Sequence, residues 1–487
     1  MNLNFAAIFK TLCSVLVILG AAMLFPLLAA LYYDENREAL IFGCVAFPLM
    51  LAAGAVCLRL QPRQTVMRAR DGLLTVALVW LAASLVGSIP YAFSGAVDGV
   101  IDAIFESTAA FTTTGASVLT DIETTPRSLL LWRSLVQWLG GMGILIFAIS
   151  ILPALGIGGQ KMARAETPSP LTMDKLAPRM SDSAKILYLF YLAFTLVLFL
   201  LLRLGGVGRF DSLIVTFASV ASGGIHIHSG GLAYYGSLYV EVLVTFFTIL
   251  VCVNFTLYYK LVQGRIREFF SDRELLTFLS LLAAGGLLIS ANLFFTDTAA
   301  VGDAARMGFF HAVAAGTTTG HATADVTLWP LFSQALLVML MLVGACGSST
   351  GSGVKVVRFM VLFKLIQRGV TARLHPRAVF PIKLHGRPLP EETVTAMVSY
   401  LGLYFFVFAA SVLILSLENL DVSTTLTAVI ACLNNIGMGL GEIGPAGSFH
   451  VFSDFSKLYL CGLMIAGRLE LFTIFMLFIP GFWDPDR

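Results

Sequence analysis

Apolar residues run along this 487-residue chain in long blocks. Ten of them, at 7–32, 39–60, 72–95, 128–156, 184–206, 237–262, 273–296, 330–370, 392–417 and 456–481, match or exceed the roughly 20 residues a helix needs to cross the hydrocarbon core. The eighth is too long for one crossing and is interrupted between Gly344 and Gly353. Between paired blocks a shorter apolar run ends in a loop of small residues. These loops read TTTGAS (Thr112–Ser117), ASGGIH (Ala221–His226), TTTGHA (Thr317–Ala322) and NNIGMG (Asn434–Gly439). Their aligned glycines, Gly115, Gly224, Gly320 and Gly437, are 109, 96 and 117 residues apart. The pattern predicts two leading spans, then four units of span, short helix, loop and span. Non-helical backbone at membrane depth is tolerated only where it lines a cavity or is buried in protein, so the four loops are expected to gather.

Composition agrees and adds little. The chain is 57% hydrophobic and 12% charged, against about 25% charged in soluble domains. No polar stretch is long enough for a soluble domain. Lys10 precedes the apolar run Thr11–Leu31, which reads as an uncleaved first helix rather than a signal peptide. The seven cysteines (13, 44, 57, 252, 346, 432 and 461) show no CxxC and no metal spacing, and read as buried unpaired thiols. A net charge of +2 says nothing about partners.

The placement of charge says more. Basic residues cluster in alternate connections, at Arg59–Arg70, Lys161–Lys185, Lys260–Arg273 and Lys355–Arg387. These hold four, five, four and eight residues, 21 of the 31 Lys and Arg. The positive-inside rule makes these connections and both termini cytoplasmic, and puts the four loops on the opposite side. The segments 157–183 and 371–391, rich in Gly or Pro, read as cytosolic linkers. The second is a docking strip for a soluble partner or a surface drawn to anionic lipid.

An aspartate precedes each short apolar run and reads as the N-cap of its helix, at Asp102, Asp211, Asp303 and Asp421, lying 13, 13, 17 and 16 residues before the aligned glycine. Asp is a good N-cap and suits the positive end of a helix. The negative ends would then converge near the membrane centre and favour a cation. The loops themselves hold Thr, Ser, Asn and Gly rather than a ring of carboxylates. Loops of that kind coordinate ions through backbone carbonyls, with glycine permitting positive φ. A weakly hydrated monovalent cation fits, potassium being the natural candidate.

Six stretches carry a resemblance over essentially the whole chain. They are FESTAAFTTTGAS (Phe105–Ser117), SLVQWLGGMGI (Ser134–Ile144), ILPALGIGG (Ile151–Gly159), GSSTGSGVKVVR (Gly347–Arg358), ACLNNIGMGLG (Ala431–Gly441) and GRLELFTIFMLF (Gly467–Phe478). In them the chain resembles the Trk/Ktr/HKT superfamily of potassium transporters, most of all its TrkH/TrkG-type membrane subunits. The resemblance implies an all-α polytopic membrane protein with four M1–pore helix–M2 repeats around a pseudo-fourfold pore, plus two N-terminal transmembrane helices. The divisions are 1–70 for the leading helices, 71–156, 184–262, 263–370 and 392–487 for the repeats, and 157–183 and 371–391 for the linkers. It implies potassium-coordinating carbonyls at Thr113, Thr114 and Gly115; Ser222, Gly223 and Gly224; Thr318, Thr319 and Gly320; and Asn435, Ile436 and Gly437. It implies an intramembrane gate at Gly347, Ser348, Ser349, Thr350, Gly351, Ser352 and Gly353, with Arg468 as an electrostatic barrier beneath the loops. It further implies a homodimer in the bacterial inner membrane, in contact with lipid and controlled by a cytosolic TrkA-type nucleotide-binding subunit. Potassium is the transported substrate; no cofactor, transition-metal site or nucleic-acid partner is expected. A symporter coupling potassium to protons or sodium would share the same loops.

The chain departs from the branch at His226, His228 and His321 and at Met438. The first two read as a hydrogen-bonded outer vestibule, since a metal site lacks a third ligand in sequence, and His321 follows an aligned glycine. A charge such as Arg468 within a span costs about 2.5–3.5 kcal/mol on insertion scales and needs a partner. Glu470 is a doubtful one, because residues two apart do not share a helix face. GSSTG also satisfies G-x-S-x-G, but that motif needs a strand-to-helix elbow, which a membrane helix does not offer. GSSTGSGVK lacks the G-K-[ST] end of a phosphate loop. An enzyme is not expected.

Overall fold

A computed structural model describes residues 3–60, 69–143, 180–375, 380–384 and 387–484. The protein is an all-α, multi-spanning membrane protein. Its leading hairpin comprises α1 (Phe5–Ala22), α2 (Leu24–Tyr32) and α3 (Asn36–Arg59). The first unit follows with α4 (Ala69–Ser94), the short helix α5 (Val100–Phe111) and α6 (Arg127–Gly141). The second holds α7 (Met180–Leu204), the short α8 (Arg209–Val220), α9 (Leu238–Cys252) and α10 (Phe255–Val262). After the surface helix α11 (Ile266–Phe270), the third holds α12 (Arg273–Phe295), the short α13 (Val301–Gly316), α14 (Leu331–Val343) and α15 (Val356–Leu374). The fourth holds α16 (Glu391–Leu415), the short α17 (Val422–Asn434), α18 (Asp454–Arg468) and α19 (Leu471–Leu477), and α20 (Pro480–Trp483) follows.

Among the described residues six helices are long and apolar enough to cross a membrane, and two bent pairs qualify when taken together. The sequence reading treated 237–262 and 456–481 as single spans. The structure breaks both: α9 and α10 meet at 89°, α18 and α19 at 114°. The break expected between Gly344 and Gly353 is present, between α14 and α15. Two other expectations are refined. Helix α15 runs to Leu374, and an antiparallel hairpin pairs Lys383 with Pro388 and Leu384 with Arg387 inside the predicted linker 371–391. The other predicted linker, 157–183, lies outside the described residues up to 179, as do Ile151–Gly159 and the end of the predicted span 128–156.

The aspartates also need correction. Only Asp421 is an N-cap, accepting from the amides of Ser423 and Thr424 at 3.1 Å each. Asp102, Asp211 and Asp303 sit in the first turn instead, behind caps at Gly99, Gly208 and Ala300. They still lie within the positive end of the helix dipole. Asp102 is buried and faces Lys457 on α18 at 2.5 Å, which ties the first short helix to the fourth unit.

Lipid chains give helices no hydrophobic reason to associate, so close packing through small residues does the work. A Cβ on Gly308 of α13 would come within 2.8 Å of the Ser290 amide on α12.

Candidate functional site

The four short helices end alike. Thr113, Ser222, Thr318 and Asn435, each two residues before its aligned glycine, take φ of +52° to +58°. A non-glycine residue rarely adopts that left-handed region. In every unit the carbonyl six residues before the glycine belongs to alanine: Ala109, Ala218, Ala314 or Ala431. These carbonyls accept from the amides of Thr114, Gly223, Thr319 and Ile436 at 2.8–3.0 Å. This is the bond that closes a Schellman cap, and it satisfies a helix-end carbonyl while reversing the chain. The recurring alanine is a sequence signal that motif spelling missed. Gly115, Gly224 and Gly320 have φ of +77°, +66° and +73°. Gly437 does not share that conformation, so the fourth loop departs from the other three.

The loops touch in cyclic order. A Cβ on Gly115 would lie 1.9 Å from the Gly223 oxygen, and one on Gly224 would lie 2.0 Å from the Thr319 oxygen. One on Gly320 would lie 2.9 Å from the Gly437 nitrogen, and one on Gly437 would lie 3.0 Å from the Thr114 and Gly115 oxygens. Side chains bridge the same neighbours. Ser222 Oγ donates to the Thr317 carbonyl at 2.6 Å, and Asn435 Nδ2 donates to Thr114 Oγ1 at 3.0 Å. All twelve predicted coordinating residues therefore sit in or beside one closed ring of backbone. The Gly223 carbonyl is also engaged by Gln137 Nε2 of α6 at 2.8 Å, a contact the sequence did not foretell.

Against the ring lies the chain between α14 and α15, bonded to the second, third and fourth units and linked to the first through Arg468. From the second unit, the Val251 carbonyl accepts from the Thr350 amide at 3.2 Å, and the Phe255 amide donates to the Ser348 carbonyl at 3.0 Å. From the third, Thr318 Oγ1 accepts from the Ser352 amide at 2.8 Å, and Glu274 accepts from the Gly347 amide at 2.7 Å. From the fourth, Arg468 Nη1 donates to the Thr350 carbonyl at 3.2 Å and to Ser352 Oγ at 3.0 Å. Its Nη2 reaches the first unit, donating to the Gly140 and Gly141 carbonyls at 2.7 and 2.8 Å. A Cβ on Gly351 would lie 3.1 Å from the Thr317 oxygen, and one on Gly353 would lie 3.5 Å from the Thr318 side chain. The predicted residues Gly347 to Gly353 and Arg468 thus form one bonded assembly.

Glycines bring the surrounding helices close. A Cβ on Gly140 would lie 1.9 Å from the Phe111 oxygen, and one on Gly467 would lie 2.1 Å from the Leu433 oxygen. Phe111 and Leu433 hold the same place in units one and four, four residues before the aligned glycine.

Glu470, doubtful as a partner of Arg468, pairs instead with Arg358 of α15 at 2.8 Å through both carboxylate oxygens. The Arg358 guanidinium lies 3.8 Å from the centre of the Tyr400 ring. Lys355 Nζ donates to the Gly351 carbonyl. Ser349 Oγ donates to the Cys346 carbonyl at 2.6 Å.

The histidines are drawn to different places. His321 bonds Ser219 Oγ at 3.0 Å beside the ring. His226 Nδ1 lies 3.4 Å from the Gly224 carbonyl oxygen. His228 faces Asp211 at 3.3 Å and stacks on Tyr234, with ring centres 3.5 Å apart. Among the described residues one trio has donor atoms close enough for a metal, Asp98, Asp102 and His450. There the Lys457 ammonium already faces Asp102.

Known proteins share this architecture. The family described as TrkH, cation transport protein, matches residues 41–484. The Trk system potassium uptake protein TrkH of Salmonella typhimurium is 34% identical, covering 99% of this chain and 100% of that protein. TrkG of Escherichia coli is 31% identical, again over 99% of this chain and all of its own length. The crystal structure of the potassium transporter TrkH from Vibrio parahaemolyticus superposes with a TM-score of 0.88 at 32% identity, covering 99% of this chain and 100% of that one. Sequence and fold agree over nearly the whole length, and the chain belongs to the TrkH family of cation transport proteins.

Proposed function

We propose that this chain is the membrane subunit of a Trk-type potassium uptake system of the bacterial inner membrane. The observation that carries the reading is the closed ring of four loops, each reversed by the same left-handed cap. Potassium sheds water to the carbonyls of Thr113 to Gly115, Ser222 to Gly224, Thr318 to Gly320 and Asn435 to Gly437. The C-terminal ends of the four short helices add partial negative charge at that depth.

Below the ring, Gly347 to Gly353 close the path and Arg468 sets a positive barrier. Opening requires that loop to release its bonds to the neighbouring units. The four units, at 71–156, 184–262, 263–370 and 392–487, are quarter-turns about the path, flanked by the helices of 1–70. Two chains pair as a homodimer, and the cytosolic segment 371–391 is the docking strip for a TrkA-type nucleotide-binding subunit.

The test is rubidium-86 uptake into proteoliposomes holding the purified protein, with potassium, sodium and lithium as competitors. Potassium is expected to suppress uptake far more strongly than sodium or lithium. Equal competition by sodium rejects the selectivity. No uptake, with or without the cytosolic subunit, rejects the transport reading.

A further inference from the structure

The outer arm of each loop climbs away from the ring, and three short helices reach out to hold it. In the first unit the Glu106 carboxylate accepts from the Val118 amide at 2.9 Å and from Ser117 Oγ at 3.0 Å. In the third, His311 Nε2 accepts from the Thr323 amide at 3.3 Å. In the fourth, Thr427 Oγ1 accepts from the Leu440 amide at 3.0 Å. Val118, Thr323 and Leu440 are all three residues beyond the aligned glycine. Glu106 and His311 are both nine residues before it, and Thr427 is ten before it. One loop position is therefore held from the same turn of the short helix by three different chemistries.

Each acceptor is itself fixed. Glu106 is fully buried and paired with the equally buried Arg133 of α6. His311 Nδ1 lies 2.9 Å from the Met307 carbonyl oxygen. That bond places the ring proton on Nδ1 and leaves Nε2 as the acceptor. The Thr427 hydroxyl donates to the Ser423 carbonyl at 2.7 Å, so its oxygen is turned to the Leu440 amide. In the second unit the matching helix residue is Val215, which has no acceptor. There the outer arm is tied by His228 to Asp211 and by the Leu232 amide to the Ala322 carbonyl at 3.1 Å.

We infer that Glu106, His311 and Thr427 are positioning residues that set the width of the ion path by fixing the outer arm of their loops. The inference rests on the transport reading above and deepens it. A carbonyl ring discriminates between ions through the spacing and field of its oxygens. An amide anchored three residues beyond the ring limits how far those oxygens can follow a smaller ion.

Two measurements on the full-length protein test this. The first is hydrogen–deuterium exchange of the outer arms in Thr427→Val, His311→Leu and Glu106→Gln. The second is the ratio of sodium to potassium competition in rubidium-86 uptake by the same variants. Thr427→Val is nearly isosteric and removes the acceptor of the Leu440 amide together with the hydroxyl's own bond to the Ser423 carbonyl. It is expected to speed exchange of residues 438–444 and raise the sodium-to-potassium ratio about fivefold, the weight of one hydrogen bond. Thr427→Ser is expected to restore both values. Unchanged exchange in variants that melt like the wild type overturns the bracing. Faster exchange with an unchanged ratio overturns the role in specificity. If the wild type takes up no rubidium, the transport reading fails, and the exchange arm still decides whether the braces exist. Glu106→Gln strands Arg133; should that variant not fold, the other two decide.

Discussion

Thr113, Ser222, Thr318 and Asn435 are held where L-residues are strained, at a cost of about 1–3 kcal/mol each. Strain of that kind persists only where the surroundings enforce it, and here the caps and neighbouring loops do so. Glycine is needed at the next-but-one position in three loops, and the reason is double. At Gly115 the backbone is left-handed, and a Cβ would also strike the Gly223 oxygen. Gly115→Ala is therefore expected to abolish potassium-selective rubidium uptake. Gly437 meets only the second constraint, at 2.9–3.0 Å, so Gly437→Ala is expected to retain measurable uptake with weaker discrimination. Equal loss in both variants contradicts this ranking. The four glycines were legible because small residues recur before long apolar blocks. Two features were not: the exception at Gly437, and the role of Gln137 against the Gly223 carbonyl. A backbone angle and a contact between residues 86 apart leave no local trace.

Helices show the same division. The break between Gly344 and Gly353 announces itself in sequence, because flexible residues crowd there. The breaks at Val253–Asn254 and Leu469–Glu470 carry no proline or glycine and look like continuous spans. Contacts override local preference at both. Asn254 caps α10 by accepting from the Thr256 amide at 3.0 Å, while the Phe255 amide is drawn to the Ser348 carbonyl. Glu470, at φ of +59°, is held by Arg358. The aspartates were misread for a related reason. A carboxylate in the first turn and one at the cap both suit the helix dipole, and spacing alone does not separate them.

The loop under the ring depends on Arg468 for bonds to two units. Hydrogen bonds from a charged group are worth about 1.5–3 kcal/mol. Arg468→Ala is accordingly expected to raise rubidium uptake, without the cytosolic subunit, by about tenfold or more, since 1.4 kcal/mol is a factor of ten. A decrease in a variant that folds counts against the barrier.

Over the whole molecule, fold class and family were readable because hydropathy blocks and basic clusters extend through the entire chain. Orientation follows from those clusters and is open to direct test. In a background with Cys44 and Cys57 replaced by serine, the five remaining cysteines are buried. Thr124 and Gln263 are both exposed. A membrane-impermeant maleimide added to intact cells is expected to label Thr124→Cys and spare Gln263→Cys. The reverse pattern inverts the assignment of cytoplasmic faces.

All four loops of the ring are written in a single chain, and this governs how such a ring can change over generations. In a ring of identical subunits one altered codon alters every quarter at once, so most changes are severe. Here a codon touches one quarter while three remain intact. That freedom accounts for three spellings in place of one, TTTG in the first and third loops, ASGG in the second and NNIG in the fourth. It also lets outer braces as unlike as a buried carboxylate, a neutral imidazole and a hydroxyl coexist around one axis. Adjustment of ion preference can then proceed by quarter-steps, each small enough for the cell to survive.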